Sequence, residues 1–183
     1  MKGGGYMRRD GFKKCFVIVF FLMIVFAGNG LAEEEIKPDI EQFKKQGIKV
    51  NMDDAAYKKR NMLRYVDLVW NEWVKREYTK EEIKMYKISK EDIHLALANL
   101  NNDSTKDVIA AIVKPYLCGK FGMDCEIKIF ISTPSQNYKM VNSCMSVFTG
   151  EPIYILKSET NRLKDIILNN KFLLKFDEKE YCN

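Results

Sequence analysis

The sequence predicts an α+β domain: a mainly antiparallel sheet with a long N-terminal amphipathic helix packed on it, stabilised by disulfides. Three observations carry that reading. Apolar residues recur at three- and four-residue spacing between Asp53 and Arg76, the period falls to two beyond Ser89, and four cysteines lie in the second half of the chain. Side chains repeat every 3.6 residues around a helix and alternate across a strand, so the two periods mark different elements. Each pattern leaves one apolar face to bury, and laying the helix on the sheet buries both.

The chain begins with Lys2, Arg8, Arg9, Lys13 and Lys14 ahead of a 13-residue apolar run from Cys15 to Ala27, then Gly28, Asn29 and Gly30. This is the order of a secretory signal peptide, with Gly30 and Ala32 at the small-residue positions of a peptidase site, so residues 1–32 are expected to be removed after Ala32. A membrane-crossing helix needs roughly 20 apolar residues, which makes the run a poor retained anchor and leaves no stable span after cleavage. The expected location is periplasmic or secreted. Residues 1–32 hold 5 of the 30 basic and 1 of the 25 acidic residues, leaving 25 and 24 in the remaining 151. That near balance gives no electrostatic ground for nucleic acid or an anionic membrane as a partner.

Residues 33–51 read as a polar N-terminal arm, and residues 52–183 as a single α+β domain. The helix from Asp53 to Arg76 carries Tyr57, Leu63, Val66, Val69, Trp70, Trp73 and Val74 on its stripe. Trp70 and Trp73 either pack on the sheet, the preferred reading, or line a binding groove. Thr79 and Glu82 form a capping-box pattern that starts a short helix reaching about Tyr86. Strands follow: Ile93, Leu95 and Leu97 alternate, Val108 to Val113 is an almost continuous apolar run, and Ile127, Ile129 and Ile131 alternate again. Further strands are expected at 138–148, 153–156, 165–168 and 172–176. Asn101-Asn102-Asp103, Pro134-Ser135, Gly150-Glu151-Pro152 and Asn169-Asn170 supply the turns between them.

In an oxidising compartment, Cys118, Cys125, Cys144 and Cys182 are expected as disulfides. Cys118 and Cys125 flank a short glycine-containing turn, which favours Cys118–Cys125 with Cys144–Cys182. Chain entropy assigns these roughly 2.5 and roughly 4 kcal/mol. Zinc is the alternative, but the paired C-x-x-C knuckles of structural zinc sites are missing from the spacing.

The strongest local signal is the run ALANLNNDSTKDVIAAI (residues 96–112) followed by CGKFGMDC (residues 118–125). Asn99, Asn101, Asp103 and Asp107, then Cys118, Gly119, Gly122 and Cys125, resemble the strand–loop–strand unit of FG-GAP-like exported bacterial proteins. In those, a D-x-N-x-D-G loop leads into an apolar strand and a C-G-x-G-x-C turn. A weaker echo has Asn161 and Asp165 before Ile166 to Leu168, so the likeness covers about residues 93–168. Ser104 replaces the usual glycine, and the cysteines are spaced more widely. Taken on spacing, Asn99, Asn101, Asp103, the Thr105 carbonyl and Asp107 fall at alternate positions suited to calcium, although Ala110 stands where an EF-hand has its bidentate glutamate. An Asx-rich turn capping its own backbone is the other reading and needs no ion.

Catalytic motifs are not evident. His94, the sole histidine, lies on the strand face opposite Ile93 and Leu95 and reads as a solvated residue. No H-E-x-x-H or phosphate-binding glycine loop occurs. The expectation is therefore an exported, non-catalytic binding protein of the bacterial periplasm or envelope, without a cofactor, whose partner is another protein or an envelope component. An inhibitor or immunity protein that blocks a lytic or toxic enzyme is the narrower alternative. A cell-wall hydrolase with unrecognised carboxylates is the third.

Overall fold

A computed structural model describes residues 39–119, 124–135, 137–148 and 150–182. The expected leader, its cleavage position, the start of the polar arm and residues 120–123 of the cysteine turn lie outside them. The described residues fall in one compact unit, Asp39–Asn183.

The described residues form nine strands: β1 (Ile48–Val50), β2 (Ile93–Ala98), β3 (Asp107–Ile112), β4 (Asp124–Ser132), β5 (Tyr138–Phe148), β6 (Ile153–Thr160), β7 (Leu163–Leu168), β8 (Phe172–Phe176) and β9 (Glu180–Cys182). They make one sheet in the order β1-β6-β7-β8-β9-β5-β4-β3-β2. Every pair is antiparallel except β5 with β9. The two edge strands turn back toward each other. Asp53, just past β1, bridges to Leu95 of β2 through Asp53 N–H to the Leu95 carbonyl at 2.6 Å and Leu95 N–H to the Asp53 carbonyl at 3.2 Å. The sheet is thus nearly closed into a barrel, which removes most of the exposed edge a flat sheet would carry.

Alternation decides what fills the interior. Ile109, Ile127, Ile129, Ile166, Leu168 and Tyr181 point inward and meet in one buried cluster with the small residues Ala96, Ala98 and Ala111. The opposite faces of β2, β3 and β4 present Ile93, Leu95, Val108, Ala110, Ile112 and Phe130, which would face water if nothing covered them. Helical segments cover them: α2 (Leu63–Val69), a π turn (Trp70–Val74) and α3 (Lys75–Glu77) bring Tyr65, Val66, Val69, Trp73 and Val74 onto that face. Buried on both sides, β3 has no polar face, which is why residues 108–113 read as an unbroken apolar run. On the far side α1 (Ile40–Gln46) packs Ile40 and Phe43 on Leu156, Ile167 and Leu173.

The expectation of an α+β fold with a long N-terminal helix is corrected. The domain is mostly a nearly closed nine-stranded sheet, and its longest helical stretch, residues 63–77, is 15 residues including the π turn. The apolar spacing that suggested a helix from Asp53 crosses three local structures. Asp53 joins β2, Ala56–Lys58 is one 3-10 turn, and only from Leu63 does the chain run helically. Tyr57 kept the three- and four-residue spacing while sitting in that 3-10 turn, because periodicity registers which residues face the core and not the hydrogen bonds that get them there. The polar arm is also corrected from residue 40 onward, where α1 and β1 stand. Asp39 caps α1 by accepting the Gln42 N–H at 3.1 Å, and a stripe of two apolar side chains was too thin to register as a helix. The capping box is present: α4 (Lys80–Met85) begins at Thr79, whose hydroxyl accepts the Glu82 N–H at 3.1 Å, while Glu82 accepts the Thr79 N–H at 2.7 Å.

Two disulfides form, Cys118–Cys125 and Cys144–Cys182. The second has a specific place. Within the sheet order, strands β1, β6, β7, β8 and β9 join β5, β4, β3 and β2 through the parallel contact of β9 with β5, where the register holds two pairs, Asn142↔Glu180 and Ser143↔Tyr181. The Asp53–Leu95 bridge and the Lys164 N–H to Leu100 carbonyl bond are the other backbone links between the two sets among the described residues. So short a ladder is weak by itself, and Cys144–Cys182 ties the two halves covalently beside it. The hairpin of β6 and β7 turns through Asn161 and Arg162, both at positive φ, as a two-residue connection that follows the sheet's twist requires.

Candidate functional site

The two ends of the barrel differ. One is closed by the loop between β2 and β3, which contains the residues singled out for calcium. Asp107, the first residue of β3, is completely buried and accepts the Leu100 N–H at 2.6 Å and the Ser132 N–H at 2.7 Å. Ser132 Oγ lies 2.8 Å from Asp107 Oδ1 and 2.8 Å from Asp103 Oδ2, so its one proton serves either carboxylate. Asp103 also accepts the Thr105 N–H at 2.7 Å and the Asn101 amide at 2.8 Å. Desolvation works against its charge, but the bonds from Ser132, Thr105 and Asn101 outweigh that and hold the carboxyl below its ordinary value. The Asn101 amide donates further to the Ser132 carbonyl at 2.9 Å, and the Asn99 amide donates to the Asp103 carbonyl.

The loop therefore gathers Asn99, Asn101, Asp103 and Asp107, but turns them on its own backbone and on Ser132. Both Asp107 oxygens are taken by N–H and O–H donors and Asn101 Oδ1 accepts the Asp103 N–H at 3.2 Å, while Asn99 Oδ1 is buried with no hydrogen-bond partner among the described residues. Among the described residues no group of three His, Cys, Asp or Glu side chains is arranged to hold a metal. The contacts are those of an Asx-rich turn that plugs the barrel. Tyr181 completes the plug from β9, its hydroxyl donating to the Lys164 carbonyl at 3.0 Å; burial, then the Asp107 and Asp165 charges, push the phenol far up, so it stays protonated. Of the C-terminal echo, Asn161 donates to the Phe176 carbonyl at 2.8 Å and Asp165 is buried on β7.

Among the described residues no comparable plug stands at the other end. A cavity of about 390 Å³ lies there, lined by Met52, Asp54, His94, Ala111, Val113 and Val147. Ala111, Val113 and Val147 supply its short apolar walls. The reading of His94 as a solvated residue is corrected: the face opposite Ile93 and Leu95 is the barrel interior, and His94 stands half-buried at its mouth. One strand cannot show on which side of it a barrel closes. Desolvation lowers the His94 pKa, and Asp54, Asp92 and Asp53 only partly oppose it.

No family model, curated protein or solved structure matches this chain. The cavity offers apolar walls, one imidazole that is neutral near pH 7 and so both donates and accepts, and one carboxylate. No serine, threonine or cysteine is among these lining residues. Such a site holds an apolar group through contact and orients it through one or two hydrogen bonds.

The folded-state His94 pKa lies below its ordinary value of 6.5, which sets the sign of a pH effect. Above about pH 6.5 the imidazole is neutral in both folded and unfolded chains and contributes no pH dependence. As the pH falls through that value the unfolded chain takes up the proton first, so stability is lost progressively until the folded value is passed. The urea midpoint is expected to drop between about pH 7.5 and pH 5.5, and His94→Gln to flatten that drop. An unchanged slope in the variant would assign the pH dependence to other groups.

Trp70 and Trp73 do not share a groove. Trp73 is completely buried beneath the helices, its indole N–H donating to Glu77 Oε2 at 3.0 Å, whereas Trp70 is half-buried. Lys128, on β4, was missed in the sequence. It is 5% exposed, sits with Nζ 5.7 Å from the Trp73 ring centroid, pairs with Glu126 at 2.7 Å and Glu77 at 3.2 Å, and donates to Asn142 Oδ1 at 3.0 Å. Desolvation alone would lower its pKa, but the two glutamates raise it, so the ammonium stays charged. The only trace in the sequence is a lysine among alternating isoleucines.

Proposed function

We propose that the protein is an exported, non-catalytic binding protein of the bacterial periplasm or envelope, and that the open end of its barrel receives an apolar group of a partner or ligand. One observation carries this: the cavity at that end pairs apolar walls with a neutral imidazole and a carboxylate. Two features support export. The order of charged, apolar and small residues over 1–32 is that of a signal peptide. Two disulfides persist best in an oxidising compartment. The proposal includes an FG-GAP-like strand–loop–strand unit, supported by the Asx loop that leads from β2 into the buried strand β3.

Purified mature protein titrated with small apolar probes bearing one hydrogen-bonding group, such as phenol and indole, tests the binding site. Saturable shifts of the His94, Ala111 and Val147 resonances are expected, and Ala111→Trp, which fills the cavity, is expected to abolish them. His94→Phe serves as a second variant if the tryptophan disturbs folding. Shifts that do not saturate, or turnover of a peptidoglycan substrate by the same preparation, would replace this reading with another.

A further inference from the structure

A second recess lies on the outer surface, away from the barrel mouth. It has a volume of about 480 Å³ and is lined by Arg64, Tyr65, Leu68, Ser104, Thr105, Lys106 and Tyr138. Two elements distant in sequence build it: the start of α2 supplies Arg64, and the plugging loop supplies Ser104, Thr105 and Lys106. Tyr138 joins them, since its hydroxyl donates to the Lys106 carbonyl at 3.0 Å and so fixes the loop against β5.

Two cations line this recess without an ion pair: among the described residues neither Arg64 nor Lys106 is paired, whereas Lys59, Lys90, Lys114 and Lys128 all are. The loop carboxylates Asp103 and Asp107 are near enough to act on Tyr138, but their oxygens are engaged by N–H and O–H donors of the loop and of Ser132 and not by Arg64 or Lys106. Arg64 is also positioned. Its guanidinium lies 4.4 Å from the Tyr65 ring centroid and donates to the Tyr65 hydroxyl, which spends one of five N–H donors and leaves the rest for a ligand. A guanidinium already stacked on a ring loses less freedom on binding than a solvated one.

We propose that this recess binds a compact oxyanion, the carboxylate or phosphate group of an acidic ligand. The Arg64 fork meets two oxygens at once, the Lys106 ammonium supplies a second positive charge, and the Ser104 and Thr105 hydroxyls complete the hydrogen bonds. Tyr65 and Leu68 form the wall against which the remainder of the ligand lies. Lys106 also lines a smaller recess at the seam of β1 and β2 together with Lys157 and Lys164, so a ligand with several acidic groups meets further cations in that direction.

Titration of the ¹⁵N-labelled protein with inorganic phosphate and, separately, with acetate tests this at constant ionic strength. Saturable shifts at Arg64, Thr105, Lys106 and Tyr138 are expected for at least one of the two anions, and whichever binds tighter names the headgroup. Arg64→Gln and Lys106→Gln are each expected to weaken binding about tenfold, while Lys175→Gln, a charge removed from β8, leaves it unchanged. Arg64 and Lys106 are both exposed, so their variants keep the parent spectrum elsewhere. Linear, unsaturated shifts spread over the surface lysines for both anions would overturn the proposal. So would full affinity in the doubly substituted protein.

Discussion

Asp107→Ala is expected to destabilise the fold by about 5 kcal/mol, measured as the loss in unfolding free energy from urea titration. The physical cause is specific. The carboxylate is completely buried and accepts the Leu100 and Ser132 N–H groups at 2.6 and 2.7 Å, with Ser132 Oγ at 2.8 Å. Removing it strands two backbone donors where water does not reach, and each costs its desolvation penalty in addition to the lost charge-assisted bond. Native domains have only about 5–15 kcal/mol in total, so the variant would sit at the edge of folding. Asp107→Asn keeps one acceptor oxygen and is expected to cost clearly less. If calcium held the loop together, chelation of the wild-type protein would mimic the substitution; the hydrogen-bonded turn described here predicts no effect of chelator.

Trp73→Ala is expected to cost about 4 kcal/mol, because the side chain is completely buried and its removal leaves a cavity that the surrounding helix and strands only partly fill. Trp70→Ala, at a half-buried position, is expected to cost no more than about 1 kcal/mol. The contrast separates a core tryptophan from one lining a groove: a groove residue would change binding and leave the urea midpoint close to wild type. Lys128 complicates the arithmetic in one respect, since it lies over the Trp73 ring, but Glu126, Glu77 and Asn142 retain it when the ring is gone. The double variant Trp73→Ala, Lys128→Met is therefore expected to depart from additivity.

Much of the strand pattern was legible. Residues 93–97, 108–113 and 127–131 showed their strand character directly, since a buried face forces apolar residues to alternate and a strand buried on both faces removes the alternation. The capping box at Thr79 was legible for a different reason: it is a contact between residues three apart, satisfied within one turn. The cysteine turn was legible because its partners are close in sequence. Errors arose where distant partners decide the local structure. Asp53 left the expected helix because Leu95, more than a turn of sheet away in sequence, offered its backbone. His94 was assigned to solvent because one strand cannot show that its other face closes into an interior. Lys128, Ser132, Arg64 and Lys106 carried no local signal, since the meaning of each comes from side chains on other elements.

By itself the sequence determined the leader-like order of its first 32 residues, the positions of the strands from β2 to β8 but not of β1 or β9, the turn chemistry and the placing of the four cysteines beyond residue 32, all of which depend on neighbours within a few residues. Only the tertiary structure decided that the sheet curls back on itself through Asp53 and Leu95, that one end is plugged by Asp107 while the other opens at His94, and that Arg64 meets Lys106. The reason is physical: backbone preference and periodicity act over one or two turns, whereas closure of a sheet and convergence of charges depend on contacts between segments that the chain brings together only when it folds.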